Sequence, residues 1–166
     1  MTISRYDGIV DDDEPFWDEE AWGWICQRGG QIEFDWFGVD RNGFLGAFAS
    51  FGTGPFPEAV TTLRERFNRL ILSVARLQNS AGVVYHQPII GDRSTWGVYA
   101  KRGLYAFDNS ESHGQAPRRH YHPIAWSERP LHLKASGIPE DLHGALPLID
   151  IEFGPDLIVP FDKIPP

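Results

Sequence analysis

The chain is poor in the residues that most often announce a chemistry. Its 166 residues include one cysteine and one methionine. Cys26 alone can form neither an internal disulfide nor a thiolate zinc site. Its apolar context, Trp22-Gly23-Trp24-Ile25-Cys26, predicts a buried small hydrophobe rather than a reactive thiolate. No apolar run is long enough to cross a bilayer, and the N-terminus carries no basic-plus-apolar leader, so a cytoplasmic protein without membrane contact is expected. No Gly-x-Ser-x-Gly elbow, His-Glu-x-x-His pair or zinc-deaminase pattern occurs. Gly52-Thr53-Gly54 precedes a helical pattern but lacks the Lys-Ser/Thr of a phosphate loop, and Pro55 and Pro57 remove amide donors. Asp40-Arg41-Asn42-Gly43 lacks the later ligands of a calcium loop and reads as a turn. Glu140-Asp141 near His143 has no nucleophile at a defined spacing.

Aromatics, turn residues and acid are abundant instead. Twenty-two Phe, Trp and Tyr side chains supply a core, while 13 prolines and 17 glycines favour short elements over a helical bundle. The formal charge is −8, and −7 of it falls in residues 1–20, where eight acids face Arg5 alone. The length predicts a single α+β domain over 21–166, preceded by an acidic segment, 1–20. A solvated, mobile segment is the plainer reading of it; it repels phosphates, which argues against nucleic acid, and its alternative use is docking on a basic protein.

Between Gln31 and Trp36 apolar and polar residues alternate, the period of a half-buried strand; Asp40 to Gly43 turn it, and Phe44 to Ser50 return. A short helix is expected from Asp18 to Cys26. From Glu58 to about Gln78, Val60, Leu63, Phe67, Leu70, Ile71, Val74 and Leu77 recur at helical spacing, predicting one long amphipathic helix whose arginine-rich outer face is solvated. Val83–Tyr85 reads as a strand, and Trp96–Ala100 with Leu104–Asp108 as a second hairpin around Lys101-Arg102-Gly103. Strands are also expected at 120–126, 131–134 and 146–153, with a helical turn at 139–143. The predicted fold is α+β: a mainly antiparallel sheet built from hairpins and packed on the 58–78 helix.

Two groups of residues are candidates for function. Asp11, Asp12, Asp13 and Glu14, with Phe16 and Trp17 as aromatic anchors, form the partner-binding candidate, although a Trp or Phe is more often core. Arg118 and Arg119 form the anion-binding candidate, because guanidinium forks bind phosphate or carboxylate. Beside them His120 and His122 share one face of a strand, the spacing of a metal pair, with His132 or His113 as a third ligand. Exposed histidines at a strand edge are the plainer reading, and no cofactor is implied.

Three stretches taken together carry a resemblance: Trp36-Phe37-Gly38-Val39-Asp40-Arg41-Asn42-Gly43 leading to Phe48-Ala49-Ser50-Phe51-Gly52-Thr53-Gly54-Pro55-Phe56-Pro57; Gly103-Leu104-Tyr105-Ala106-Phe107-Asp108; and Tyr121-His122-Pro123-Ile124-Ala125 with Arg129-Pro130-Leu131. Their order over about residues 31–135 resembles small bacterial proteins, some of them similar to the immunity proteins carried beside polymorphic toxins. The resemblance lies in turns and strands and implies no catalytic residue. It identifies no toxin; with the acidic segment it leads to the expectation of a non-catalytic protein-binding protein, one form of which is an immunity-type inhibitor of a basic toxin domain. The alternative is a small metal- or anion-dependent enzyme, or a ligand-binding domain, using the Arg118–His122 region.

Overall fold

A computed structural model describes residues 17–27, 34–50, 54–79, 82–87, 93–109 and 119–166. It is an α+β fold around a mixed sheet. Helix α1 (Glu19–Cys26) starts where Asp18 accepts the Ala21 amide at 2.8 Å, a side-chain N-cap. Trp22 and Ile25, three residues apart, take its buried face. Strands β1 (Asp35–Asp40) and β2 (Leu45–Ala49) form the expected antiparallel hairpin. Its turn closes through the Gly43 amide on the Asp40 carbonyl at 2.9 Å, with Gly43 at φ 87. That left-handed conformation favours glycine. Both Trp36 and Phe37 are buried, so β1 is covered on its two faces rather than one.

The single helix expected over 58–78 is two helices, α2 (Glu58–Thr61) and α3 (Arg64–Ala75). Thr61 and Thr62 both turn their hydroxyls back onto the Glu58 carbonyl, at 3.1 and 3.2 Å, and Leu63 is extended and exposed. Local hydroxyl bonds compete with the backbone ladder there, a signal that hydrophobic spacing does not carry.

After β3 (Val83–Tyr85) comes α4 (Ser94–Lys101), not the strand expected at 96–100. The Leu104 amide reaches the Tyr99 carbonyl at 3.2 Å and the Gly103 amide reaches Ala100 at 2.9 Å, with Gly103 at φ 94. That pair of bonds is a Schellman cap, so the glycine read as a hairpin turn ends a helix. Strand β4 (Tyr105–Asp108) is consequently free to lie parallel to β2, and β5 (His120–Ser127) runs antiparallel to β4. The strand expected at 131–134 is a single bridge between His132 and Phe44 followed by α5 (Leu133–Ser136). A 3-10 helix spans Glu140–Ala145, where a helical turn was expected. The late strand shrinks to β6 (Leu148–Ile149), and β7 (Val159–Pro160) is added on β5.

The strand order is β3-β5-β4-β2-β1-β6. Parallel pairing of β2 with β4 and of β1 with β6 makes the sheet mixed, not mainly antiparallel. On one face Trp36, Phe48, Phe107 and Tyr121 stack beneath Phe153 and Phe161 of the C-terminal segment. On the other, Phe37 meets Phe67 of α3 and Tyr99 of α4.

Candidate functional site

Pairing register fixes which side chains meet at the two ends of this sheet. Asp35 lies opposite Ala49, Ala49 beside Asp108, and Asp108 opposite His122. Register partners share a sheet face, so these four residues make one row across β1, β2, β4 and β5. The row lies on the α4 side, because the Tyr99 hydroxyl donates to Asp35 Oδ2 at 2.7 Å. It marks the carboxyl ends of β2 and β4, the end at which open sheets with parallel strands most often hold ligands.

On the opposite face, the same end holds the Tyr121 hydroxyl, which donates to the Pro55 carbonyl at 2.8 Å and accepts from Trp36 Nε1 at 3.2 Å. Asn109 donates to the Ser50 carbonyl at 3.1 Å. Gly54 closes this cluster: a Cβ there would stand 2.5 Å from the Tyr121 hydroxyl oxygen and 2.9 Å from Asn109 Nδ2. Burial raises the Tyr121 hydroxyl well above an ordinary tyrosine; the Trp36 bond lowers it in part, and the Asp108 and Asp35 carboxylates raise it further.

His120 and His122 share this end on one face of β5, half-buried, with ring centres 6.4 Å apart. His132 does not join them. It packs at Phe44 with ring centres 5.6 Å apart, and its Nδ1 accepts the Lys134 amide at 3.1 Å. Phe44 lies five residue steps before Ala49, the end of β2, about 17 Å at strand rise, so the third-ligand expectation for His132 is overturned. Among the described residues no three His, Cys, Asp or Glu side chains converge as a metal ion requires. Arg119 is exposed, and its carbonyl accepts the Phe161 amide at 3.1 Å. Arg118 and His113 lie outside the described residues.

Asp11, Asp12, Asp13, Glu14 and Phe16 also lie outside the described residues. Trp17 is half-buried against Phe34, with ring centres 6.0 Å apart. Asn68 of α3 holds its backbone from both sides, accepting its amide and donating to its carbonyl, each at 3.0 Å. The aromatic that α1 turns outward is instead Trp24, 52% exposed. Beyond it, Asp18, Glu19 and Glu20 are exposed on the first turn. Cys26 is exposed rather than buried, because Trp22 and Ile25 occupy the inward face of a helix only eight residues long. Partial burial pushes its thiol up, away from a reactive thiolate.

Trp24, Asp35, Tyr99, Asp108 and Asn109 were not among the sequence candidates. An aspartate ending a strand pattern, as Asp108 does, was the one available signal; the strand reading of 96–100 concealed Tyr99. No protein-family model matches the chain, and no curated protein or solved structure matches it.

Proposed function

We propose that the chain is a non-catalytic protein-binding protein that captures a basic partner through its acidic N-terminal region, with Trp24 as the apolar anchor. The observation that carries this reading is the exposure of Trp24, 52%, on a helix whose first turn presents Asp18, Glu19 and Glu20. An exposed tryptophan buries a large area when a partner covers it, and such residues dominate binding energies. The surrounding carboxylates steer an oppositely charged partner and disfavour acidic competitors. Asn68 pins Trp17 to α3, and the acidic stretch Asp11–Glu14 lies just before Trp17 in the sequence. The finer form of the proposal is an immunity-type inhibitor of a bacterial toxin, in which a rigid sheet carries a complementary surface and no catalytic residue is needed.

The test is affinity capture from the organism that encodes the protein, with the wild type, Trp24→Ala, and a variant with Asp11, Asp12 and Asp13 changed to Asn and Glu14 to Gln. A stoichiometric basic protein, released by salt and lost from both variants, is the expected result. Equal retention by all three proteins would overturn the reading. The inhibitor form is tested by co-expression: the captured partner should arrest growth alone and lose that effect beside the wild type but not beside Trp24→Ala.

A further inference from the structure

The turn between β1 and β2 carries a chemistry of its own, independent of the α1 surface. Of the chain's four asparagines only Asn42 precedes a glycine. Asparagine is among the thermolabile residues, and a following glycine puts no side chain in the way of its main-chain nitrogen. We propose that Asn42–Gly43 is a site of spontaneous modification: the Asn42 side chain closes onto the Gly43 nitrogen, and the ring opens to aspartate or isoaspartate at a rate set by Asp40. The bond between the Gly43 nitrogen and Asn42 Cγ forms as the Cγ–Nδ2 bond breaks, and Nδ2 leaves as ammonia with the Gly43 amide proton. Water then opens the ring. Cleavage at Cγ leaves aspartate on the ordinary main chain. Cleavage at the Asn42 carbonyl carbon leaves isoaspartate, with an additional methylene in the main chain.

Asn42 is exposed, and its side-chain amide makes no hydrogen bond among the described residues, so Cγ is open to attack. Position 43 requires glycine on two counts: its φ is 87, and a Cβ there would lie 2.6 Å from His132 Nε2. The fold therefore keeps the labile pair in place. It also supplies the brake. The Gly43 amide donates to the Asp40 carbonyl at 2.9 Å, and the Gly43 carbonyl accepts the Leu133 amide at 2.8 Å. Asp40 Oδ1 accepts the Asn42 and Phe44 amides at 2.9 and 2.8 Å. The peptides on both sides of Gly43 are pinned, and its nitrogen reaches Cγ only when these turn bonds open. Isoaspartate lengthens the turn, so Asp40 no longer holds the same set of amides. Conversion thus loosens the junction that Asp40 makes with the C-terminal segment through the Phe153 amide, at 2.9 Å.

The test incubates the full chain in mildly alkaline buffer, folded or in urea, and then digests it. Peptide mass spectrometry follows the change from amide to acid, and chromatography separates the aspartate peptide from the isoaspartate peptide. Conversion at Asn42 ahead of the exposed Asn79 is expected. It should run about tenfold to a hundredfold slower in the folded chain than in urea, because two or three turn bonds must open first. That ratio should match the hydrogen-exchange protection of the Gly43 amide. Asp40→Asn should speed the folded chain about tenfold, whereas Tyr121→Phe, which weakens the fold at the other end of the sheet, should leave the rate unchanged. Equal rates in buffer and urea, conversion at Asn79 first, or equal acceleration by Tyr121→Phe and Asp40→Asn would overturn the proposal, as would a folded chain in which Asn42 does not convert. If Asp40→Asn fails to fold, the comparison with urea and the exchange of the Gly43 amide still decide it.

Discussion

Two buried aspartates stand at opposite ends of the same sheet, in different surroundings. Asp40, 1% exposed, spends its carboxylate on backbone: Oδ1 accepts the Asn42 and Phe44 amides at 2.9 and 2.8 Å, and Oδ2 accepts the Phe153 amide at 2.9 Å. One side chain thereby closes the β1–β2 turn and ties the C-terminal segment to it. Asp108, 3% exposed, instead ends a strand in a row that contains a second carboxylate, an imidazole and a phenol's hydrogen bond. Burial and residue type are the same; the positions differ, Asp40 gathering the amides of a turn and of the C-terminal segment, and Asp108 standing in a row set by strand register. Buried polar groups must be satisfied at either place.

Breaking the Asp40 end should have the largest effect on stability. Asp40→Ala leaves three amides without their acceptor, two of them in the turn and one, that of buried Phe153, across the chain; a loss of about 3 kcal/mol is expected in urea unfolding. An Asp40→Asn variant retains one acceptor oxygen and should lose less, which separates hydrogen bonding from volume. Next in size is Gly43→Ala, at about 2 kcal/mol. The new methyl meets a left-handed backbone and lies 2.6 Å from His132 Nε2. His132→Ala in the same chain should recover the steric part and not the conformational part.

At the Asp108 end the comparison is sharpened by Tyr121→Phe. It removes the donor to Pro55 and the acceptor for Trp36, for about 1.5 kcal/mol at neutral pH. It should also flatten the alkaline limb of the stability profile. The folded hydroxyl is raised above its ordinary 10.0, chiefly by burial, so the folded state holds this proton more tightly than the unfolded chain does. The stabilisation it gives is complete below an ordinary tyrosine's 10.0 and falls as pH rises past that point. A phenylalanine side chain has no such proton to lose. Stability of the wild type and of Tyr121→Phe, followed from neutral to strongly alkaline pH, checks the sign. The smallest effect is expected for Asp150→Asn, which breaks only the exposed 3.0 Å pair with Arg41, at about 0.5 kcal/mol or less.

How far the sequence reached differs between the two ends. The Asp40 turn was legible because its signals are local: Asp-Arg-Asn-Gly fixes a turn within four residues, and the hairpin follows from it. The span of α1 was legible to within one residue, Asp18 being its cap rather than its first helical residue. The Asp108 row was not, because its members come from four strands and meet only through pairing register. The error at 96–100 shows the mechanism. Lys101-Arg102-Gly103 demands a left-handed glycine in either reading, and a helix cap and a hairpin turn place that glycine identically. Reading it as a hairpin made β4 antiparallel to its predecessor; as a cap it sends β4 back parallel to β2 and brings Asp108 beside Ala49. Trp24 was likewise invisible, since Trp22 and Trp24 are equally apolar and only the packing of α1 against Phe34 and Phe67 selects which one turns inward.

By itself, the sequence determined the local structure of this protein: the short first helix, the first hairpin, an aromatic core and an acidic N-terminal region. Each depends on neighbouring residues, whose preferences act at short range. The tertiary structure decided the mixed sheet, the break in the second helical segment, the outward tryptophan and the row of Asp35, Ala49, Asp108 and His122. These depend on register between distant strands, and no local preference distinguishes one distant partner from another.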